Sequence, residues 1–222
     1  MRPFEEEFNA LNEALQEMGG LVAQSVHRSV LSLVEKNEDY ASQVLRDEAR
    51  IDQLEIRIDD LATSIIVRDN PVARDMRFVV VAIKINTDLE RMGDMAVGIV
   101  ERSLAAMRQP ELPLKTSFTG IGNIVESMVL QALEAFVKRD ADLARGILKS
   151  DDAVDRMRNE ITTELIDLMK KDPSTIERAI DYILIARRLE RIADHATNIA
   201  EDIIFMVKGV DVRHRNDVHL DA

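Results

Sequence analysis

A six-residue block returns a hundred residues later in this chain: Leu89-Glu90-Arg91-Met92-Gly93-Asp94 comes back as Leu189-Glu190-Arg191-Ile192-Ala193-Asp194. Two more features recur at nearly the same spacing. Asp69-Asn70-Pro71 is answered by Asp172-Pro173, and Glu48-Ala49-Arg50-Ile51-Asp52 by Asp151-Asp152-Ala153-Val154-Asp155. Two copies are too few for a solenoid and read as a tandem duplication with short insertions between the halves. The fold must therefore be one that can be built twice.

Few breakers interrupt the chain, and what lies between them is helical. Six segments follow: Phe4 to Val34, Asp39 to Arg68, Ala73 to Met107, Phe118 to Val137, Asp142 to Lys170 and Ser174 to Lys208. Proline cannot continue a helix and restricts the residue before it, so Asn70-Pro71 and Asp172-Pro173 end the second and fifth. Gln109-Pro110-Glu111-Leu112-Pro113 makes the linker, and Gly209 stands in a C-terminal capping place. The run Phe78 to Ile85 has strand composition, yet it continues without a turn signal into a 3.6-residue pattern and is read as helix. Ile85, Leu89, Met92, Ala96 and Ile99 form one apolar stripe, and Ile185, Leu189, Ile192, Ala196 and Ile199 form its copy. The expected fold is all-α: two tandem antiparallel three-helix bundles, residues 1–109 and 114–209, with 210–222 as a mobile tail.

Composition excludes several classes. The formal charge of −12 makes nucleic acid a poor partner, because binding to phosphate backbones rests on clustered Lys and Arg. Without cysteine there is no thiolate metal site, disulfide or cysteine nucleophile. The acidic start (Glu5, Glu6, Glu7) and the lack of a long unbroken apolar window predict neither signal peptide nor membrane span, hence a cytoplasmic protein. Gly120-Ile121-Gly122 lacks the strand and lysine of a phosphate loop.

The acidic residues nominate a site. Residues four apart share a helix face, so Glu90 with Asp94 and Glu190 with Asp194 each present two carboxylates on one side. With 41 acids in 222 residues such pairs are common, and the repeat serves as the filter. Only these two pairs, and Glu48/Asp52 with Asp151/Asp155, keep acidic partners at matching positions in both halves. All lie off the apolar stripes. One reading is a solvated face with Arg91 near Asp94 and Arg187 near Glu190 as weak surface ion pairs. The other is an open surface metal site, in which clustered carboxylates repel until a hard cation relieves them.

The blocks Asp88 to Ala96 and Arg188 to Ala196, with Asn198-Ile199-Ala200-Glu201 and the Asn70-Pro71 break, resemble the PhoU family along nearly the whole chain. That resemblance implies two three-helix bundles and two multinuclear metal sites, one on Glu48, Asp52, Glu90 and Asp94 and the other on Asp151, Asp155, Glu190 and Asp194. Iron is the usual metal it implies, with other divalent cations as alternatives. It also implies a homodimeric, non-enzymatic adaptor between the ATPase subunit of a phosphate importer and a phosphate-sensing histidine kinase, silencing the starvation response when phosphate is plentiful. At position 98 the family usually has asparagine, as at Asn198, whereas this chain has Gly98. Two other readings stay open. A carboxylate-bridged dimetal oxidase usually needs Glu-x-x-His in a bundle core, and neither His27 nor His195 has it. A purely structural dimerisation module is compatible with the composition.

Overall fold

The apolar stripes read from the sequence are helix faces. The structure, a computed structural model, describes residues 3–69, 72–110, 112–210 and 212. Its helices are α1 (Pro3–Glu35), α2 (Glu38–Asp69), α3 (Ala73–Met107), α4 (Phe118–Lys138), α5 (Ala141–Lys171) and α6 (Ile176–Lys208), with a short 3-10 turn at Pro173–Thr175 before α6. Among the described residues there is no strand, and the branched run Phe78 to Ile85 lies within α3. Local chemistry sets the ends. Ser117 accepts a hydrogen bond from the Gly120 N–H at 3.2 Å, and Asp140 accepts from Asp142 and Leu143 at 2.9 and 3.0 Å, so both side chains satisfy donors that a helix start leaves over. Gly209 takes the left-handed conformation (φ 71°) and donates to the Phe205 carbonyl at 2.8 Å. The Asn70-Pro71 break falls outside the described residues. So does the expected tail, apart from Val210 and Val212.

Each half packs three helices, with α1 against α2 and α3 and α4 against α5 and α6. The halves are joined along two seams, α1 on α4 and α3 on α6, and one apolar cluster runs through both. Among the described residues, the helices α2 and α5 touch only helices of their own half and form the outer flanks. Both stripes are buried: Ile85, Leu89, Met92, Ala96 and Ile99 are 0% exposed, and their repeats at most 1%.

Polar side chains fix the antiparallel register of the α3/α6 seam. As numbers rise along α3 they fall along α6: Lys84 meets Asp202 at 2.8 Å, Asp88 meets His195 at 2.7 Å, the Gly98 carbonyl accepts from Arg188 at 2.7 Å, and Arg102 meets Asp181 at 2.8 Å. The α1/α4 seam runs antiparallel too, with His27 on Glu126 at 2.8 Å. Here the helices come so near that a Cβ on Gly122 would lie 2.8 Å from Val30 Cγ2. Among the described residues α4 is the one helix whose length and composition would allow it to cross a membrane. Half of its apolar window is buried against α1, α5 and α6, which accounts for its hydropathy.

Candidate metal centre

On each flank the fold draws four of the eight nominated carboxylates together. Helix α2 carries Glu48 and Asp52 to the face of α3 that holds Glu90 and Asp94, and α5 carries Asp151 and Asp155 to the matching face of α6 with Glu190 and Asp194. The first pair of helices approaches at Gly93, where an added Cβ would stand 3.1 Å from Ile51 Cδ1. Its repeat is Ala193, also small. A large side chain here would wedge the carboxylate-bearing helices apart. Glu48, Glu90, Asp151 and Glu190 are half-buried, while Asp52, Asp94, Asp155 and Asp194 are exposed.

Electrostatics show the crowding. Burial, followed by the nearby charges of Asp52, Asp94 and Glu101, raises the Glu48 carboxyl above its ordinary range. Burial, then Asp94 and Glu55, does the same for Glu90. In the second half burial, then Asp194 and Asp155, pushes Asp151 up to about 6, and partial loss of water around its carboxyl, on a residue exposed as a whole, followed by Glu190, raises Asp194. These are groups that lose water and gain like-charged neighbours.

The donor set fits a hard cation on chemical grounds: it offers ionised oxygen ligands on an open face that repel one another without a counter-charge. Among the described residues, however, no three His, Asp or Glu side chains are already arranged as a finished metal-holding group. The fit is one of donor type and charge.

Two neighbours differ from expectation. Among the described residues no ion pair joins Arg91 to Asp94 or Arg187 to Glu190. Instead Arg158 of α5 reaches across to Glu190 at 3.1 Å and back to Asp155 at 3.5 Å. Glu190 points to the flanking helix, where a cross-helix guanidinium can meet it, whereas Arg187 is exposed. Beside the first set, Glu55 is a fifth carboxylate whose own charge is disfavoured, first by burial and then by Asp59, Asp52 and Asp94. The repeat filter does not nominate Glu55, because the matching residue of the other half is Arg158.

His195, which lacks the Glu-x-x-His spacing, is instead part of the seam: it and its partner Asp88 are 11% and 13% exposed. Nearby, an open groove of about 570 Å³ runs between α3 and α6, lined by Glu48, Asp94 and Glu101 and by Arg91, Arg188 and Arg191. The departure at Gly98 has its cause here. A Cβ at that position would lie 2.5 Å from Cζ of Arg188, so glycine makes room for the guanidinium that bonds to its carbonyl.

Two predictions follow from these contacts. Replacing Gly98 with Asn displaces Arg188 and lowers stability by about 1 kcal/mol, the lost charge-assisted bond outweighing the gain in helix propensity. In an Arg188→Ala background the same change becomes neutral or slightly stabilising, which a double-mutant cycle of thermal melts reads directly. The second concerns pH. The folded-state pKa of Asp151 lies above its unfolded value of 3.8, so the folded chain holds this proton more tightly. The associated stability is present below pH 4 and is lost as pH rises through about 6. In chelator, Asp151→Asn should raise the melting temperature by roughly 2–4 °C near pH 8, for about 1 kcal/mol once solvent screening is allowed for. That gain should shrink as pH falls through 6 towards 4.

Comparison with known proteins agrees with this architecture. The PhoU domain model matches twice, at residues 15–103 and 118–203. A Pseudomonas putida protein described as a phosphate-specific transport system accessory protein PhoU homolog is 38% identical over 212 residues, covering 95% of this chain and 83% of its own length. The Escherichia coli K12 accessory protein PhoU is 32% identical over 218 residues, covering 98% and 90%. Crystal structures of PhoU superpose closely. That from Pseudomonas aeruginosa has a TM-score of 0.90 at 37% identity, covering 93% of this chain and all of that one, and that from Streptococcus pneumoniae a TM-score of 0.86 at 28% identity, covering 94% and 99%. With both halves matched by the domain model and the fold shared along nearly the full length, the chain belongs to the PhoU family.

Proposed function

We propose that this chain represses the phosphate-starvation response and restrains phosphate uptake, docking in the cytoplasm as a homodimer on the ATPase subunit of a phosphate importer and on a phosphate-sensing histidine kinase. The observation that carries this reading is the double match to the PhoU domain, together with relatives named as accessory proteins of a phosphate-specific transport system. Physical features support a docking role. Long helices bonded side by side offer broad rigid outer faces, and among the described residues no helix covers the outward sides of α2 and α5.

The carboxylate sets have a place in this reading. Glu48, Asp52, Glu90 and Asp94 would hold metal in the first half, and Asp151, Asp155, Glu190 and Asp194 in the second, with iron the first candidate and other divalent cations next. A bound cation supplies charge neutralisation. With the cation in place, the side chains would link α2 to α3, and α5 to α6, through groups that otherwise repel. Such a site pins helices and shapes a docking face rather than turning over a substrate.

Purified chain should bind the purified importer ATPase subunit saturably, and bind the cytoplasmic portion of the kinase in a separate experiment. Failure to bind either partner, with the chain folded and both partners active, would overturn the adaptor reading.

A further inference from the structure

The repeat that relates the two carboxylate sets is broken by a reversal of charge beside them. Three residues after Asp52 on α2 stands Glu55, and three residues after Asp155 on α5 stands Arg158. A spacing of three keeps each on the same helix face as the carboxylate before it. The two halves therefore carry opposite charges at equivalent places beside their sets.

In the second half the guanidinium is already engaged. Arg158 Nη2 lies 3.1 Å from Glu190 Oε1 and 3.5 Å from Asp155 Oδ1, and its Nη1 donates to Asn159 at 2.6 Å. The side chain is 28% exposed, and its Nε is buried without a partner. A metal entering here meets a resident positive charge and has to displace it from oxygens it would use itself. In the first half, among the described residues, no cation forms an ion pair with the set; Arg91 only eases the charge of Glu90, and with Arg188 and Arg191 it lines the groove beside Glu48 and Asp94. There the Glu55 turn of α2 is fastened to α3, because Asn86 Nδ2 donates to the Glu55 carbonyl and to Asp59 Oδ1, each at 3.0 Å. Asn86 lies one helical turn before Glu90. The Glu55 carboxylate thus joins a set of five acids that, among the described residues, make no ion pair, against four acids bridged by one guanidinium in the other half.

We propose that the two sites are unequal: the first set, with Glu55 as a fifth oxygen donor, takes up a metal cation, while the second is bridged by its own Arg158 and binds metal far more weakly. This inference rests on the metal reading given under the proposed function. It makes Glu55 and Arg158 the residues that set occupancy, and it makes the first half the one that responds to metal.

The test is titration of the chelator-stripped full chain with Mn²⁺, with free ion counted by its EPR signal and thermal melts run alongside to verify folding. Wild type should show one tight class of sites, abolished by Asp94→Asn and kept in Asp194→Asn. Glu55→Arg should weaken that class by about tenfold or more, because it removes one carboxylate donor and adds one positive charge at close range. Arg158→Glu should create a second class that Asp194→Asn then removes, and Arg158→Gln, the milder change, should add an Mn²⁺-dependent rise in melting temperature. Equal loss of Mn²⁺ from Asp94→Asn and Asp194→Asn, or unchanged affinity in a folded Glu55→Arg protein, would overturn the inequality while leaving metal binding in place. No Mn²⁺ uptake by wild type or any variant would overturn the metal reading itself, and the inequality with it.

Discussion

Replacing Phe78 with alanine should destabilise the chain by about 4 kcal/mol and lower its melting temperature by roughly 8–16 °C. Phe78 is 2% exposed and stands between two other rings. Its centroid lies 5.2 Å from that of Phe8 on α1 and 5.1 Å from that of Phe136 on α4, with the Arg139 guanidinium 5.2 Å from its own centroid. One side chain of α3 thus ties a helix of its own half to a helix of the other. Truncation leaves a cavity and removes two stacking contacts, each of which adds to simple burial. Urea and thermal melts measure the loss, and a fall in melting temperature below about 3 °C would show that the three-ring stack contributes little.

Replacing Lys84 with methionine should cost about 2–3 kcal/mol. Its partner Asp202 on α6 is nearly enclosed, with a side chain 9% exposed, and the Lys84 ammonium lies 2.8 Å away. Removing the cation leaves a buried carboxylate without its counter-charge, and that penalty exceeds what an exposed ion pair is worth. Because Lys84 itself is 39% exposed, the cost falls below that of a fully buried pair. Asp202→Asn in the Lys84→Met background should return most of the lost stability, since the neutral amide is far cheaper to bury. If the double variant melts no higher than Lys84→Met alone, the charge of Asp202 is not what the single variant exposes.

Both residues sit where the sequence was least informative, and the reason is physical. The helices themselves were legible. The third segment was expected at Ala73 to Met107 and is found at those bounds, because its apolar stripe keeps a strict helical period and both ends carry break signals. The duplicated stripe was legible for the same reason, and both copies are buried. The packing of one half on the other was not. Its register is written in residues that the repeat does not preserve: Lys84 answers to Leu184, Asp88 to Arg188, Met95 to His195, Gly98 to Asn198 and Phe78 to Arg178. A duplicated chain must break its own symmetry to place different groups on the two sides of a seam, so a filter that keeps only shared residues discards the seam.

The candidate site shows the same division. The eight carboxylates were nominated because both halves keep them, and the structure sets them on facing helices at the two flanks. Glu55 and Arg158 were missed because they differ. The expected ion pairs of Arg91 with Asp94 and Arg187 with Glu190 failed for a related reason. Neighbouring charges on one helix pair weakly in water, and Glu190 has a better partner across the helix interface in Arg158.

The most direct test of the regulatory role is the output of a phosphate-regulated reporter in phosphate-rich medium, in a strain lacking this chain. The reporter should be active in the deletion strain and silent again when the wild-type chain is restored, with Glu90, Asp94, Glu190 and Asp194 all changed to Ala failing to silence it at equal protein levels. A reporter that stays silent in the deletion strain would contradict the regulatory account. A quadruple variant that silences as well as wild type would separate the carboxylates from that role.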